Sequence, residues 1–239
     1  MSILAREVSL QEIAGLRDQY RAEMNCQVVH DSIHVREGWT KEFLLEGNGE
    51  TAGYGSIAVA GPWKGTRTVF EFYVLPNFRA HAFDCFECFV ETSHATAMEI
   101  QSNQAILLVM YHAYARDLKS ERIVFEEGLT TAHLANGAIL REKAESEWIL
   151  EIDGVQAGSG GILYHYNPPY GDIYMEIAEP YRRRGYGCFL VQELKKICRE
   201  RGGIPGARCS TENIASRKTL QKAGFVPYAH ILLGSLQSE

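Results

Sequence analysis

The sequence predicts an α/β fold, or α+β in the wider sense, in which two copies of one unit follow each other. Apolar residues recur at helical spacing in some segments and alternate at strand spacing in others. The order of hairpin, strand and helix occurs in the first half and again about 105 residues later. With 239 residues, the chain exceeds an average domain of about 150 residues and can therefore hold two compact units.

The first half begins with a helix and continues with strands. Ser9 and Glu12 form a capping box, and the apolar residues that follow keep three- and four-residue steps. The turn Gly47-Asn48-Gly49 joins two extended runs into a hairpin. The elements predicted here are a helix over 10–24, a hairpin over 42–60, a strand over 68–75, a long helix from about 80 to 100 and a buried strand over 105–111.

The second half repeats this order. A tight turn at Asp153-Gly154 joins a strand to the strand that returns beside it, and Pro180 ends the next strand. The elements predicted here are strands over 148–152, 155–166 and 172–178, a helix over 186–201 and a strand over 207–210. We expect the join between the copies at 126–136, which gives two domains, 1–128 and 129–239.

Composition and charge restrict the class of protein. Hydrophobic residues make up 46% and charged residues 23% of the chain, which is typical of a globular protein with a buried core. The formal net charge of −6 argues against nucleic acid or an anionic membrane as the main partner. The longest apolar run is too short to cross a bilayer, and Arg6 and Glu7 come too early for a secretory signal. We expect a cytoplasmic protein that is a monomer or a homodimer.

The cysteines indicate a reducing compartment. The chain has 6 cysteines, and their spacing is not that of a disulfide framework. Cys85 and Cys88 form a CxxC motif, but no second pair follows it, and the surrounding residues are aromatic at helical spacing. We interpret these two residues as core thiols, and the sequence implies no metal.

The segment from Arg182 to Gly187 has the properties of an anion site. It follows a strand, contains three arginines and two glycines, and leads directly into a helix. The first amides of a helix lack intrahelical acceptors and carry the positive end of the helix dipole. Gly185 and Gly187 allow the backbone to close around a phosphate oxygen, and the arginines add charged donors. The residues therefore favour a phosphate ligand.

A second motif follows this loop at a characteristic distance. After the strand at 207–210 come Asn213-Ile214-Ala215-Ser216 and then Leu220-Gln221-Lys222-Ala223-Gly224-Phe225. The two motifs in this order strongly resemble the GCN5-related N-acetyltransferase (GNAT) superfamily, over roughly residues 145–230. The first half resembles the same fold only in its element order, as in tandem members of the superfamily. The resemblance implies a mixed, splayed acyl-CoA N-acyltransferase sheet with flanking helices in two tandem GNAT-like units.

The resemblance also implies a set of residues that bind the cosubstrate acetyl-CoA. The pyrophosphate would lie on the loop, and the backbone of Ile177 and Ala178 would pair with the pantetheine arm like an added strand. Asn213 and Ser216 would contact the cosubstrate from the second motif. The loop residues implied are Arg182, Arg183, Arg184, Gly185, Tyr186 and Gly187.

The first copy does not have the features of this loop. When Arg79 is aligned with Arg182, Ala82 takes the place of Gly185 and Asp84 takes the place of Gly187. A side chain would crowd the phosphate, and a carboxylate would repel it. We therefore expect one acetyl-CoA site per chain, in residues 129–239, and a degenerate copy without a CoA site in residues 1–128.

The acceptor amine must lose a proton before it can attack. Strand alternation places Asp172, Tyr174 and Glu176 on one face of the strand at 172–178. Glu176 is the first candidate for the general base, acting directly or through water, and Asp172 is the second.

Many members of the superfamily protonate the leaving thiolate with a tyrosine, at the position that is Gln221 here. Because an amide is no acid, Tyr228, Tyr164 or a water would have to act instead, or the thiolate leaves unassisted. A covalent step at Cys209 is not expected, because the resemblance implies direct transfer.

The function that these residues and the resemblance favour is that of an acyltransferase. The protein would move acetyl from acetyl-CoA to a primary amine of a small molecule, by direct transfer with general-base assistance. Two alternatives stay open: acetylation of a protein N-terminus or lysine, and a non-catalytic acyl-CoA-binding module. Nucleic acid and membrane are not expected as partners.

Overall fold

A computed structural model of the protein describes residues 1–129 and 137–236. The chain divides into two compact units, Met1–Glu121 with His230–Glu239 and Arg122–Ala229. In the part of the chain that is described, no helix is both long and apolar enough to span a membrane. The expected join at 126–136 lies mostly outside the described residues.

Unit 1 contains a mixed sheet with three main helices. Its elements are β1 (Ile3–Val8), α1 (Ala14–Met24), β2 (Thr40–Gly47), β3 (Glu50–Ala58), β4 (Thr68–Val74), α2 (Ala82–Ser93), β5 (Ala97–Gln101) and α3 (Ala105–Tyr114). The strands β1 to β4 pair antiparallel in sequence order. β4 then pairs parallel with β5 at two positions, Thr68 with Ala97 and Val69 with Met98. A core of aromatic and aliphatic side chains joins this sheet to α2 and α3.

Unit 2 has the same strand order. Two strands cross the boundary between the units, β6 (Ala115–Glu127) and β12 (Phe225–Leu236). The other elements are β7 (Ala138–Ala144), β8 (Glu147–Ile152), β9 (Val155–Asn167), β10 (Tyr170–Ile177), α4 (Tyr186–Glu200), β11 (Ile204–Ser210) and α5 (Ile214–Lys222). β7 to β10 pair antiparallel in sequence order, and β10 pairs parallel with β11. Each element from β2 to β6 thus has a counterpart from β8 to β12.

The division into units differs from the single boundary expected after residue 128. β6 follows α3, but its residues from Arg122 onward pair antiparallel with β11. β12 follows α5, but residues 231–235 pair antiparallel with β5 of unit 1. Strand pairing satisfies backbone hydrogen bonds irrespective of chain order. The part of β6 from Arg122 onward therefore belongs to unit 2, and the part of β12 from His230 onward belongs to unit 1.

Two predicted elements are wrong. Residues 105–111 form the helix α3 and not a strand, and the buried side chains Leu107, Met110 and Tyr111 follow the spacing of one helix face. A short apolar run does not distinguish a buried strand from a buried helix. The long helix expected to reach Ile100 ends at Ser93, because His94 adopts a left-handed conformation with φ 51° and the chain then enters β5.

The other predicted elements are present with small shifts of their ends. The helix expected over 10–24 begins with a 3₁₀ turn at Leu10–Ile13 and continues as α1. Its capping box is formed, since the Ser9 amide donates to the Glu12 carboxylate at 2.9 Å. The hairpin is β2 and β3, and the strands of the second half are β8 to β11. Five elements lie outside those predicted, namely β1, β6, β7, α5 and β12.

A network of buried charges covers the face of the unit 1 sheet that is opposite α2. The imidazole of His34 contacts Glu42 through Nδ1 at 3.0 Å and Glu71 through Nε2 at 3.1 Å. The second contact is an ion pair and not a well-aligned hydrogen bond. Burial lowers the pKa of His34, but Glu71 and Glu42 raise it more, to about 9. His34 is therefore an imidazolium at neutral pH.

Candidate active site

A cleft of about 850 Å³ lies in unit 2, where the end of β10 meets the first turns of α4 and α5. A volume of this size is typical of small-molecule sites, which span about 300–1,000 Å³. Four basic side chains line the cleft, and Glu176 is the only carboxylate among its lining residues. The cleft is therefore electropositive in a chain whose net charge is −6.

The wall of the cleft at α4 is built by an unusual backbone. Gly185 is the N-cap of α4 with φ 88°, and Arg183 also has a positive φ of 62°. The first helical hydrogen bond joins the amide of Phe189 to the carbonyl of Gly185. The amides of residues 186–188 therefore precede the first intrahelical donor, and such amides attract anions. The anion site expected in this loop stays a prediction, and the free amides at the start of α4 are compatible with it.

Gly187 is needed because α4 passes close to α5. A Cβ atom at this position would lie 3.2 Å from Cγ2 of Thr219. The absence of a side chain lets the first turn of α4 approach the first turns of α5. The two helices can therefore line one cleft.

Basic groups surround these amides. Nε of Arg182 donates to the carbonyl of Ile177 at 2.8 Å, which fixes its guanidinium at the end of β10. Arg183, Lys218 and Lys222 have no carboxylate within ion-pair distance among the described residues. Lys218 and Lys222 are four residues apart on α5 and therefore lie on the same side of the helix. These three cations are available to an anionic ligand.

The strands β10 and β11 separate at the cleft. Their parallel pairing ends at Ile173 and Ala207, after which β10 continues beside β9, and β11 continues beside β6. A Cβ atom built on Gly158 of β9 would lie 2.6 Å from the carbonyl oxygen of Glu176, and one built on Gly160 would lie 2.7 Å from that of Tyr174. The carbonyls of Tyr174 and Glu176 therefore point toward β9. Backbone groups alternate along a strand, so Met175 and Ile177 direct their amides toward the gap.

Ala178 does not fit the role expected for it. Its amide donates to the carbonyl of Ala157 at 2.9 Å, and its own carbonyl accepts from the amide of Tyr181 at 2.9 Å. Both backbone groups are thus occupied by protein partners, whereas the amide of Ile177 faces the gap. Arg184 and Tyr186 lie in the loop but are not among the residues that line the cleft.

The second motif forms the start of α5. Asn213 is the N-cap of this helix, and its Oδ1 accepts from the amide of Ser216 at 2.9 Å. Both residues line the cleft. An N-cap of this kind satisfies one of the first helix amides and fixes the direction of the helix. Asn213 therefore orients the helix that carries Lys218 and Lys222.

The candidate catalytic residues occupy different environments. Glu176 is exposed and lines the cleft. Asp172 is buried, and its Oδ2 accepts from Nε of Arg208 at 3.0 Å and from Nη2 at 2.5 Å. A carboxylate held in this way is poorly placed to accept a proton from an amine, so we correct the assignment of Asp172 as a base.

The candidate general acids are not among the residues that line the cleft. Tyr228 is half-buried on β12, and Gln221 is exposed on α5. The phenol of Tyr164 lies next to Cys198 of α4, and burial raises its pKa to about 12. Neither tyrosine is placed beside Glu176 in the cleft, and the amide of Gln221 is no acid.

Several lining residues were not predicted from the sequence. Lys218 and Lys222 have a readable signal, which is their spacing of one helical turn after the N-cap Asn213. The apolar and small residues have no such signal, because they reach the cleft only through the packing of α4 and α5. The unpredicted lining residues are Met175, Tyr181, Cys188, Ile214, Ala215, Lys218, Thr219 and Lys222.

The cysteines near the cleft are not activated. Burial raises the pKa of Cys209, and it also raises that of Cys188, which lines the cleft. A nucleophilic cysteine needs a lowered pKa, so neither thiol is prepared for a covalent step. Among the described residues, no three His, Cys, Asp or Glu side chains are arranged to hold a metal ion.

The corresponding loop of unit 1 has a different conformation and charge. Nε of Arg79 donates to the carbonyl of Val74 at 3.1 Å, as Arg182 does to Ile177, which supports their alignment. The loop is a 3₁₀ helix, Pro76–His81, in which no residue has a positive φ. Nη2 of Arg79 pairs with Glu23 at 2.5 Å, so its charge is compensated by the protein itself.

Comparison with known proteins identifies the family. The model of the Acetyltransferase (GNAT) family matches residues 109–225. An acetyltransferase of the GNAT family from Colwellia psychrerythraea has a TM-score of 0.72 and 14% identity, with 99% of this chain and 100% of that chain covered. A GCN5-related N-acetyltransferase from Sphaerobacter thermophilus has a TM-score of 0.65 and 15% identity, with 99% and 96% covered.

A third structure has a tandem arrangement. It is a tandem GNAT protein from the clavulanic acid biosynthesis pathway, solved without AcCoA, and it has a TM-score of 0.65 and 12% identity over 100% of both chains. No curated protein matches the sequence. At these identities the solved structures show the fold, and the family model adds the sequence evidence. Residues 109–225 therefore form a domain of the Acetyltransferase (GNAT) family.

Proposed function

We propose that the protein is an N-acetyltransferase that moves an acetyl group from acetyl-CoA to a primary amine of a small molecule. One observation carries the proposal: unpaired cations and helix amides meet in a cleft at the point where two parallel strands separate. The cations suit a diphosphate, and the exposed strand amides suit the amide-rich pantetheine arm. Few ligands other than a coenzyme A thioester combine these two features.

The donor side of the cleft fits the charge of coenzyme A. The amides that follow Gly185 would hold the pyrophosphate, together with the guanidinium of Arg183 and the ammonium groups of Lys218 and Lys222. Charge-assisted hydrogen bonds of this kind contribute about 1.5–3 kcal/mol each. The amide of Ile177 would pair with the pantetheine arm, as the resemblance implies, and the amide of Met175 would remain for the carbonyl of the acyl group.

Glu176 is the residue we assign to the proton of the acceptor. Among the described residues it is the only carboxylate that lines the cleft, and it lies one residue from the amides of Met175 and Ile177. In the proposed transfer, the amine nitrogen attacks the thioester carbonyl and its proton passes to Glu176, directly or through water. The amide of Met175 stabilises the developing oxyanion. The C–S bond breaks, and the thiolate leaves without an acid from Gln221.

The test is a titration followed by an acetylation assay. Calorimetry should find one equivalent of CoA per chain, because the loop of unit 1 lacks the anion site. The purified protein should then release CoA from acetyl-CoA in the presence of some members of a panel of diamines, amino sugars and aminoglycosides. Peptides with a free N-terminus or lysine form the comparison arm, and acetylation of these alone would transfer the assignment to proteins. CoA binding without release for any amine would indicate a binding module.

A further inference from the structure

A buried ion pair lies where β10 and β11 begin to separate. Nη2 and Nε of Arg208 both donate to Oδ2 of Asp172, and the two side chains are only 13% and 9% exposed. The guanidinium also lies 4.7 Å from the centre of the Tyr166 ring. The other oxygen of Asp172 is buried, and it has no hydrogen-bond partner in the described part of the chain. The pair is therefore shielded from water.

The position of this pair along the strands is specific. Asp172 is opposite Gly206, one residue before the last parallel pair, Ile173 with Ala207. Arg208 is the first residue of β11 beyond that last pair. The ion pair therefore connects the first separated residue of β11 back to the paired part of β10. Glu176 follows Asp172 by four residues on the same face of the strand.

Stability alone gives no reason for this pair. The cost of removing two charges from water often exceeds the energy gained by their attraction, and well-packed apolar residues of similar size serve as well or better. Burial lowers the pKa of Arg208, and Asp172 raises it more, so the guanidinium stays charged. A buried pair of this kind is expected where it fixes the orientation of a neighbouring backbone or side-chain group.

Unit 1 provides a natural comparison. Counted from the last parallel pair, Val69 with Met98, the positions of Asp172 and Arg208 are taken by Thr68 and Glu99. Counted from the loop, where Val74 corresponds to Ile177, the position of Asp172 is taken by the uncharged Val69. Thr68 carries no charge, and Glu99 accepts hydrogen bonds from His30 and Trp63. The copy whose loop lacks the anion site thus also lacks the ion pair.

We propose that Asp172 and Arg208 are positioning residues that set the separation of β10 from β11. The pair thereby directs the amide of Met175 and the carboxylate of Glu176 at the acyl group, and the amide of Ile177 at the pantetheine arm. This inference rests on the proposed function. It assigns no contact with the substrate to either residue, and it predicts that their loss affects the transfer step more than the binding of the phosphates.

The test replaces the pair by apolar residues. In the double variant Asp172→Leu with Arg208→Met, kcat should fall about 100-fold, because a displacement of about 1 Å at a reacting group has an effect of this size. Binding of adenosine 3′,5′-bisphosphate, which probes the phosphate site without the pantetheine arm, should stay within about twofold. The ratio of the affinity for CoA to the affinity for this nucleotide should become smaller, since the strand amides that hold the pantetheine arm are displaced. If the role of the pair were purely structural, the double variant would bind CoA and the nucleotide more weakly by a similar factor.

A second variant and a control complete the experiment. Arg208→Lys keeps the charge but loses the forked geometry, and it should lower kcat about 5- to 10-fold. It decides the question if the double variant does not fold. The double variant Arg141→Met with Glu151→Leu removes another cross-strand pair of the same sheet and should leave kcat unchanged.

The outcomes separate the two proposals. An active wild type, together with unchanged kcat in the folded double variant or in Arg208→Lys, overturns the positioning role and leaves the proposed function intact. A wild type that neither binds CoA nor acetylates any amine overturns the proposed function first.

Discussion

The substitution Gly185→Ala tests whether the backbone at the start of α4 forms the anion site. Gly185 has φ 88°, and nothing lies within 4 Å of the position that a Cβ would occupy. The cost of the substitution is therefore conformational and not steric, about 1–2 kcal/mol for a residue with a side chain in the left-handed region. Relief of this strain would rotate the peptide groups that precede Tyr186 and Gly187.

The loss of CoA affinity follows from those peptide groups. One charge-assisted hydrogen bond contributes about 1.5–3 kcal/mol. At about 1.4 kcal/mol per factor of ten, the Kd for CoA should rise about 10- to 100-fold. The measurement is calorimetric titration with CoA, combined with thermal unfolding of the same samples.

A matched control is available in the same unit. Gly202, which follows α4, has φ 79° and equally open surroundings, and it does not line the cleft. Gly202→Ala should therefore lower the free energy of unfolding by a similar amount and leave the Kd unchanged. If Gly185→Ala bound CoA as tightly as Gly202→Ala does, the amides at the start of α4 would not form the anion site.

Three further predictions concern charges. Glu176→Gln should lower kcat about 100-fold or more and leave the Kd for CoA unchanged. The control is Glu179→Gln, which changes an exposed neighbour outside the cleft lining and should leave kcat unchanged. Equal kcat in both variants would show that Glu176 is not the general base. Lys218→Met with Lys222→Met should weaken CoA binding and flatten its salt dependence, whereas Lys143→Met should change neither. The third prediction concerns the pKa of His34. The folded-state pKa of about 9 lies above the usual 6.5, so the stabilisation is complete below about pH 6.5 and is lost as the pH rises through 9. The free energy of unfolding should fall by about 2–3 kcal/mol between about pH 7 and pH 10 in chemical denaturation, and a constant value would show that His34 is not charged.

The local features of the site could be predicted from the sequence. The anion site proposed for the loop 182–187 depends on glycines and arginines that are adjacent in the chain, and the structure gives Arg183 and Gly185 positive φ angles there. Lys218 and Lys222 follow the N-cap Asn213 at helical spacing and could have been added on the same grounds. Such signals are readable because helix termini depend on a few neighbouring residues.

Features that depend on distant partners could not be predicted. Asp172 has the chemistry of a base, and only the structure places Arg208, 36 residues away, against it. The membership of β12 in unit 1 from His230 onward depends on pairing with β5, which no local pattern reveals. The helix α3 was mistaken for a strand because its apolar run has no polar face, and its tertiary packing decides between the two structures.

The two copies differ in how the charge of one corresponding arginine is compensated. Both have an arginine whose Nε donates to the end of the central strand, Arg79 in one and Arg182 in the other. In unit 1 the carboxylate of Glu23 pairs with Arg79 and also accepts from the hydroxyl of Tyr73. An internal carboxylate thus supplies the negative charge that the cleft of unit 2 would take from a ligand. Because α1 carries Glu23 and the described part of unit 2 has no helix between β7 and β8, this compensation is absent there. The missing helix is therefore one reason why the cations of unit 2 stay available to bind an anion.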